Sequence, residues 1–168
     1  MLASKQVFTK RIELLSPILT AFDTETTPRL RAVIGRLSRR LRPTAAAVAA
    51  GLTPTKISVL LHVARAGQIR LSDLSDAEGI NPTMMSRVIA ELTEAGLVER
   101  VSDPSDRRAA LVEATAAGRK LADRIRRERT DALNLALEGL DERERSQIEA
   151  ALPALERLAE QLWVGERS

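Results

Sequence analysis

The sequence has no cysteine and no tyrosine, and its only aromatic residues are Phe8, Phe22 and Trp163. Without cysteine there is no disulfide, no thiolate metal site and no thiol-based redox switch. A lone histidine, His62, cannot build a multi-histidine metal centre, so no metal is expected. Aromatics at 2% leave the core to Leu, Ile, Val, Ala and Met. Leu and Ala favour helices, so a mainly α fold is expected rather than a β-sandwich. No apolar run approaches the ~18 residues of a membrane helix. LLSPILTAF, behind Lys5, Lys10 and Arg11, has the order of a signal peptide. It is short, carries Pro17 and lacks a small-x-small cleavage site, and the protein is expected in the cytoplasm. No G-x-x-x-x-G-K-[ST] or G-x-G-x-x-G phosphate loop and no nucleophile–base pair is visible. Neither a cofactor nor an enzyme is expected.

What is present fits one soluble domain: 168 residues, 29% charged and 44% hydrophobic. The net charge is only +3, yet the isoelectric point is about 9.9. Four of the 26 cations are lysines (Lys5, Lys10, Lys56 and Lys120), which leaves 22 arginines. Six arginines and no acid lie within 29–42, RLRAVIGRLSRRLR. Six further cations lie within 119–129, against Asp123 and Glu128, whereas 138–160 is mostly acidic. A basic body with a more acidic end is compatible with a polyanion on one side.

Residues 1–27 read as an extension, with Val7, Ile12, Leu15, Ile18, Leu19 and Phe22 fitting either an amphipathic helix around Pro17 or a frayed tail. DTETTP, 23–28, reads as a linker. A long helix is expected over 29–49, with Leu30, Val33, Ile34, Leu37 and Leu41 at helical spacing and Pro43 kinking or dividing it. Gly51 ends it. Thr53-Pro54 opens the next helix as cap and first position. Its apolar face is Ile57, Leu60, Leu61 and Ala64, and Gly67 closes it. A short strand fits 68–71. A two-turn helix over 72–78 is expected with Ser72 as its cap and Leu74 and Ala77 inward. Gly79-Ile80 is a turn, Asn81-Pro82 repeats the cap-plus-proline start, and the helix runs to Ala95 before Gly96. Two helices about a glycine turn have helix-turn-helix spacing. LVERV, a polar turn over Ser102–Asp106 and AALVEAT then make a two-stranded wing. Thr115 caps a long helix over 116–138. Asp141 and Glu144 form a capping box for the last helix, which Pro153 is expected to kink or divide.

On a helix over 81–95, Met85, Val88, Ile89 and Leu92 share the face that packs inward. Thr83, Ser86, Arg87 and Ala90 fall opposite, with Asn81, Pro82 and Met84 near the N-terminal end. This outward face is small and polar and has no carboxylate before Glu91 and Glu94. Such a face suits a major groove: arginine donates two bonds to guanine, and Ser and Thr reach bases or phosphates. The N-terminus itself favours an anion. Arg107 and Arg108 stand at the wing tip, where a narrow minor groove attracts an inserted arginine. The second arginine holds a phosphate or braces the loop. Asp106 fits a pairing with Arg108 that fixes the tip, and Asp103-Pro104 starts the turn.

The run LSDLSDAEGINPTMMSRVIAELTEAGLVERVSDPSDRRAALVEATAAGRKL, 71–121, resembles the MarR family of bacterial transcriptional regulators. LSDL, MSR, EAGLVER, DPSDRR and the T-x-x-G helix start carry the likeness, which with the flanking helices covers roughly 29–163. The resemblance implies a winged helix-turn-helix with N- and C-terminal dimerisation helices, binding double-stranded DNA as a homodimer on a pseudo-palindrome. It implies a domain division into an extension (1–27), dimerisation helices (28–52 and 116–168) and a DNA-binding part (53–115). It places Thr83, Ser86 and Arg87 in the major groove, Arg107 in the minor groove, and Arg108 with Asp106 as the wing's support. Many members bind a small-molecule effector between these parts; Arg36, Arg39, Arg40 and His62 are candidates for an anionic one, though such groups are more often solvated or phosphate-facing. The family's thiol-based sensing is excluded here. Asp76 stands where the family has a small apolar residue, and the extension is longer than usual. The alternative to a DNA-reading repressor is a winged-helix protein–protein module, which an apolar recognition face and a non-basic wing would favour; neither is present.

Overall fold

The structure is a computed structural model and describes residues 25–42, 44–102 and 110–164. The elements follow in the order α1 (Thr26–Leu41), α2 (Ala45–Ala49), α3 (Pro54–Ala66), β1 (Ile69–Arg70), α4 (Leu71–Glu78), α5 (Pro82–Glu94), β2 (Val98–Ser102), β3 (Ala110–Ala114), α6 (Ala116–Glu138) and α7 (Glu142–Val164). The fold is mainly α with a small β wing, as expected, and β1 joins the two wing strands in one three-stranded antiparallel sheet. The chain divides after Arg42 into two compact units.

The first unit contributes α1. The segment expected as a linker, 23–28, is helical from Thr26 onward. Pro28 is tolerated there because a first-turn amide has no intrahelical acceptor to lose. Val33, Ile34 and Leu37, the middle of the expected apolar stripe, are exposed. Residues 1–24, including the apolar positions of the extension, lie outside the described residues. The helix expected over 29–49 is divided, with α1 ending at Leu41 and α2 starting afresh. Thr44 caps α2, its hydroxyl accepting from the Ala47 amide at 3.2 Å.

The second unit is built on short-range caps. Thr53 accepts from the Lys56 amide at 3.4 Å, and Asn81 from the Met84 amide at 2.9 Å, each with proline at the first helical position. Ser72 is not the cap of α4. The helix starts one residue earlier, Arg70 takes the N-cap position, and the Ser72 hydroxyl donates instead to Asp73 Oδ1 at 3.3 Å. Leu71 packs against the core and so draws the first turn back by a residue. Leu74 is fully buried, as expected, and Ala77 is half-buried. Gly79, at φ 61°, ends α4 in the left-handed region that glycine enters without strain.

β3 is the central strand, between β1 and β2. Ile69 faces Val112 across one edge, and Val98 faces Ala114 across the other. Val98, Val112 and Ala114 turn inward and join Val59, Leu60, Val63, Leu74, Met85, Val88, Ile89, Leu92 and Ala122 in one core. A smaller cluster of Ala46, Ala47, Ile57 and Ile125 ties α2 and α3 to α6. There the Glu128 carboxylate accepts from the Ala46 amide at 3.0 Å, which places an anion at the N-terminus of α2.

The start of α6 is the tightest joint. The Thr115 hydroxyl donates to the Gly96 carbonyl at 2.7 Å and accepts from the Gly118 amide at 3.0 Å, and the Thr115 amide reaches Leu97 O. The helix thereby lies directly on the β2 entry, and a Cβ at Gly118 would overlap the Leu97 carbonyl. The T-x-x-G pattern is therefore a cap joined to a close backbone approach. At the far end, Asp141 and Glu144 form the expected reciprocal box, at 3.0 and 2.7 Å. Pro153 does not divide α7, which runs through it. Proline removes one backbone bond and leaves the rest of a 23-residue helix intact. Every described side chain of α7, from 142 to 162, is exposed. No helix among the described residues is long and apolar enough to cross a membrane.

Candidate nucleic-acid interface

α5 owes its position to its apolar side. Met85, Ile89 and Leu92 are fully buried and Val88 nearly so, which fixes the helix rotation against α3, α4 and β2. The opposite face is then displayed with little freedom. Pro82, Thr83, Met84, Arg87 and Ala90 are exposed, whereas Ser86 is half-buried on the flank. Asn81 is exposed too, but its side-chain oxygen is committed to the cap. The structure thus brings Pro82, Thr83, Met84 and Arg87 onto one open surface, with Ser86 at its edge. Pro82 has no N–H and the Met84 amide is taken by the cap, but the positive end of the helix dipole still favours a phosphate at this end.

Arg87 carries the only formal positive charge on α5. Its side chain is 76% exposed and donates through Nε to Glu91 Oε1 at 3.0 Å. The other carboxylate oxygen, Oε2, takes the Lys56 ammonium of α3 at 2.9 Å. These contacts, the Lys56 bond first and Arg87 second, hold the Glu91 carboxyl below its ordinary value of 4.5. Two cations against one carboxylate leave this corner of the surface positive at neutral pH. The i,i+4 spacing of Arg87 and Glu91 is legible in the sequence. The Lys56 contribution is not, because it comes from a helix 35 positions earlier (91 minus 56).

The wing reaches the structure only as its two strands, paired from Val98–Ala114 to Ser102–Ala110. Arg107, Arg108 and Asp106, the expected tip and its support, lie outside the described residues. Arg100, on β2, is exposed.

Other polar groups singled out in the sequence have structural partners. The His62 ring bonds to Glu78 Oε1 at 2.8 Å through Nδ1, and the Ser58 hydroxyl donates to Glu78 Oε2 at 2.6 Å. The carboxylate stands between the other two, so serine and histidine do not meet as nucleophile and base. One ring nitrogen of His62, Nδ1, is thus committed to Glu78. Arg126 donates to the Leu61 carbonyl at 3.0 Å and pairs with Asp123, which braces α6 on α3. Arg36, Arg39, Arg40 and Asp76 are exposed.

With this geometry in view, the comparisons with known proteins agree. The family model of the MarR family matches residues 52–110, from the entry to α3 through the first residue of β3. An HTH-type transcriptional regulator of Mycobacterium tuberculosis, MT0903.1, is 33% identical over 122 residues, covering 73% of this chain and 84% of its own. Among solved structures, Rv1404 of Mycobacterium tuberculosis superposes with a TM-score of 0.70 at 23% identity, covering 81% of this chain and 94% of that one. Wild-type MarR of E. coli in its apo form does so at 0.68 and 21%, covering 77% and 95%. At such identities these two structures establish the fold. The relative, matched over most of its length, establishes the lineage, and the chain belongs to the MarR family of helix-turn-helix transcriptional regulators.

Proposed function

We propose that the protein is a homodimeric repressor that reads a pseudo-palindromic operator in double-stranded DNA. DNA binding is the property of its family. The observation that carries the reading is α5 itself, a helix locked by its buried side and capped at its start, displaying Thr83, Met84 and Arg87 outward. In this reading Asn81, Pro82, Thr83, Met84, Ser86 and Arg87 face the major groove. Arg107 enters the minor groove, and Arg108 with Asp106 supports the wing. The exposed apolar stripes of α1 and α7 support dimerisation through 28–52 and 116–168, leaving 53–115 to bind DNA. Two lobes related by a two-fold axis read two half-sites, so operator symmetry mirrors protein symmetry.

A small-molecule effector that releases the operator is part of the proposal. NadR, a protein of the same fold at a TM-score of 0.59, was solved in complex with 4-hydroxyphenylacetate.

The test is selection of bound duplexes from random DNA by the full-length protein. A two-fold-symmetric consensus is expected. Enrichment of no sequence, together with retention on any duplex at low salt only, contradicts sequence reading and leaves backbone binding. No retention at all favours the protein–protein module.

A further inference from the structure

Arginine donates to guanine along either of two edges: end-on through both amino groups, or side-on through Nε and one amino group. In this protein the side edge of Arg87 is already taken, because its Nε bonds to Glu91 at 3.0 Å. The two terminal amino groups remain for a ligand. Glu91 in turn has little freedom, since its second oxygen is held at 2.9 Å by Lys56 from α3, a side chain only 23% exposed. The three residues form a relay that runs from a packed neighbouring helix, through a carboxylate, to the exposed cation of α5.

We infer that Glu91, backed by Lys56, is a positioning residue that presents Arg87 end-on for a two-bond contact with one guanine of the operator. This rests on the DNA-reading function proposed above. A long arginine at a helix surface otherwise samples many rotamers, and ordering it on binding costs affinity. Holding Nε restricts that sampling before DNA arrives. The carboxylate also limits loose use of Arg87: while Glu91 holds it, the guanidinium is less available to a phosphate, which carries no sequence information. The arrangement thus favours base discrimination over bulk affinity. Glu91 retains its charge at neutral pH, because both cations favour the ionised form.

The experiment measures wild type, Glu91→Ala, Arg87→Ala and the double variant against the selected duplex and its single-base-pair substitutions. A shuffled duplex and thermal melting serve as controls. Alanine favours helix, so Glu91→Ala is expected to melt near wild type. Arg87→Ala should erase the preference at one guanine and thereby locate it. Glu91→Ala should weaken that same preference about tenfold, within the range for a two-bond contact. It should not weaken binding to the shuffled duplex, and the freed guanidinium steepens the salt slope there by roughly one unit. In the Arg87→Ala background, Glu91→Ala should change the base preference no further. Glu91→Gln, which keeps one carbonyl acceptor, should fall between wild type and Glu91→Ala. If Glu91→Ala keeps the full preference, or loses as much without Arg87 as with it, the positioning role is wrong while DNA reading stands. If Arg87→Ala flattens no position, Arg87 reads no base and the inference falls alone. If wild type prefers no duplex, the function proposed above falls and takes this inference with it.

Discussion

α5 and α7 are both amphipathic helices, and the chain treats them in opposite ways. The apolar stripe of α5, Met85, Val88, Ile89 and Leu92, is 0–6% exposed. The stripe of α7, Ile148, Leu152, Leu155, Leu158 and Leu162, is 37–69% exposed. Each pattern has helical periodicity, so the sequence alone does not distinguish them. What differs is the supply of partners. The stripe of α5 meets apolar faces of α3, α4 and β2 within the same chain. That of α7 is left exposed, and no comparable face within its own unit covers it among the described residues. A contiguous exposed apolar stripe of this length is the feature that marks an interaction surface. The first helix fits a reader held in place, and the second fits a coupling to another copy.

The contrast is open to attack in order of effect. The largest change is expected from charge on the outer stripe. Leu152→Asp together with Leu155→Asp should halve the mass seen by sedimentation at micromolar concentration, with the helical signal of the 53–115 part retained. An unchanged mass would show that α7 does not join two copies. Next comes the joint that holds the reader. Gly118→Ala gains about 1 kcal/mol of helix propensity but drives a Cβ into the Leu97 carbonyl, backbone that cannot swing aside. Overpacking costs about 3 kcal/mol in such a site, so a net loss of about 2 kcal/mol is expected from chemical denaturation. A neutral or stabilising result would mean that α6 can lift off the β2 entry freely. Smaller still is Asn81→Ala, which removes the cap of α5 and should cost about 1 kcal/mol, with a matching drop in operator affinity if the presented N-terminus meets a phosphate.

The smallest effect is a titration. Lys56 and Arg87 depress the Glu91 carboxyl in the folded state, so the contribution of this network is complete above 4.5 and fades only as pH falls through the lowered value. A carboxyl carbon shift for Glu91 should therefore titrate with a midpoint below 4.5, and Lys56→Met should move it back up. A midpoint at or above 4.5 in the wild type would remove the network.

Much of the fold was legible because its signals are local. Thr53, Asn81 and Thr115 cap the helices that follow them, and the Asp141–Glu144 box closes within four residues. The inward face of α5 follows from spacing alone. One local signal is overruled by packing: Ser72 yields the cap position because Leu71 belongs to the core. At Pro153 the helix is not divided, because one lost backbone bond leaves the rest of a 23-residue helix intact. What was not legible depends on partners distant in sequence. Glu128 at the Ala46 amide, Glu78 between Ser58 and His62, and Lys56 on Glu91 each join residues that only the fold brings together. Gly118 shows the same divide. Its place in T-x-x-G was readable, but its reason, the Leu97 carbonyl, was not.

The central claim is that α5 is held rigid in order to read sequence. Its most direct test is a fluorescence-anisotropy titration of the full-length protein with the selected duplex and a shuffled duplex, at about 150 mM salt, where the backbone contribution is already weakened. A preference of about 10³ or more, the range of specific regulators, is the expected result. Equal affinity for the two duplexes would contradict it.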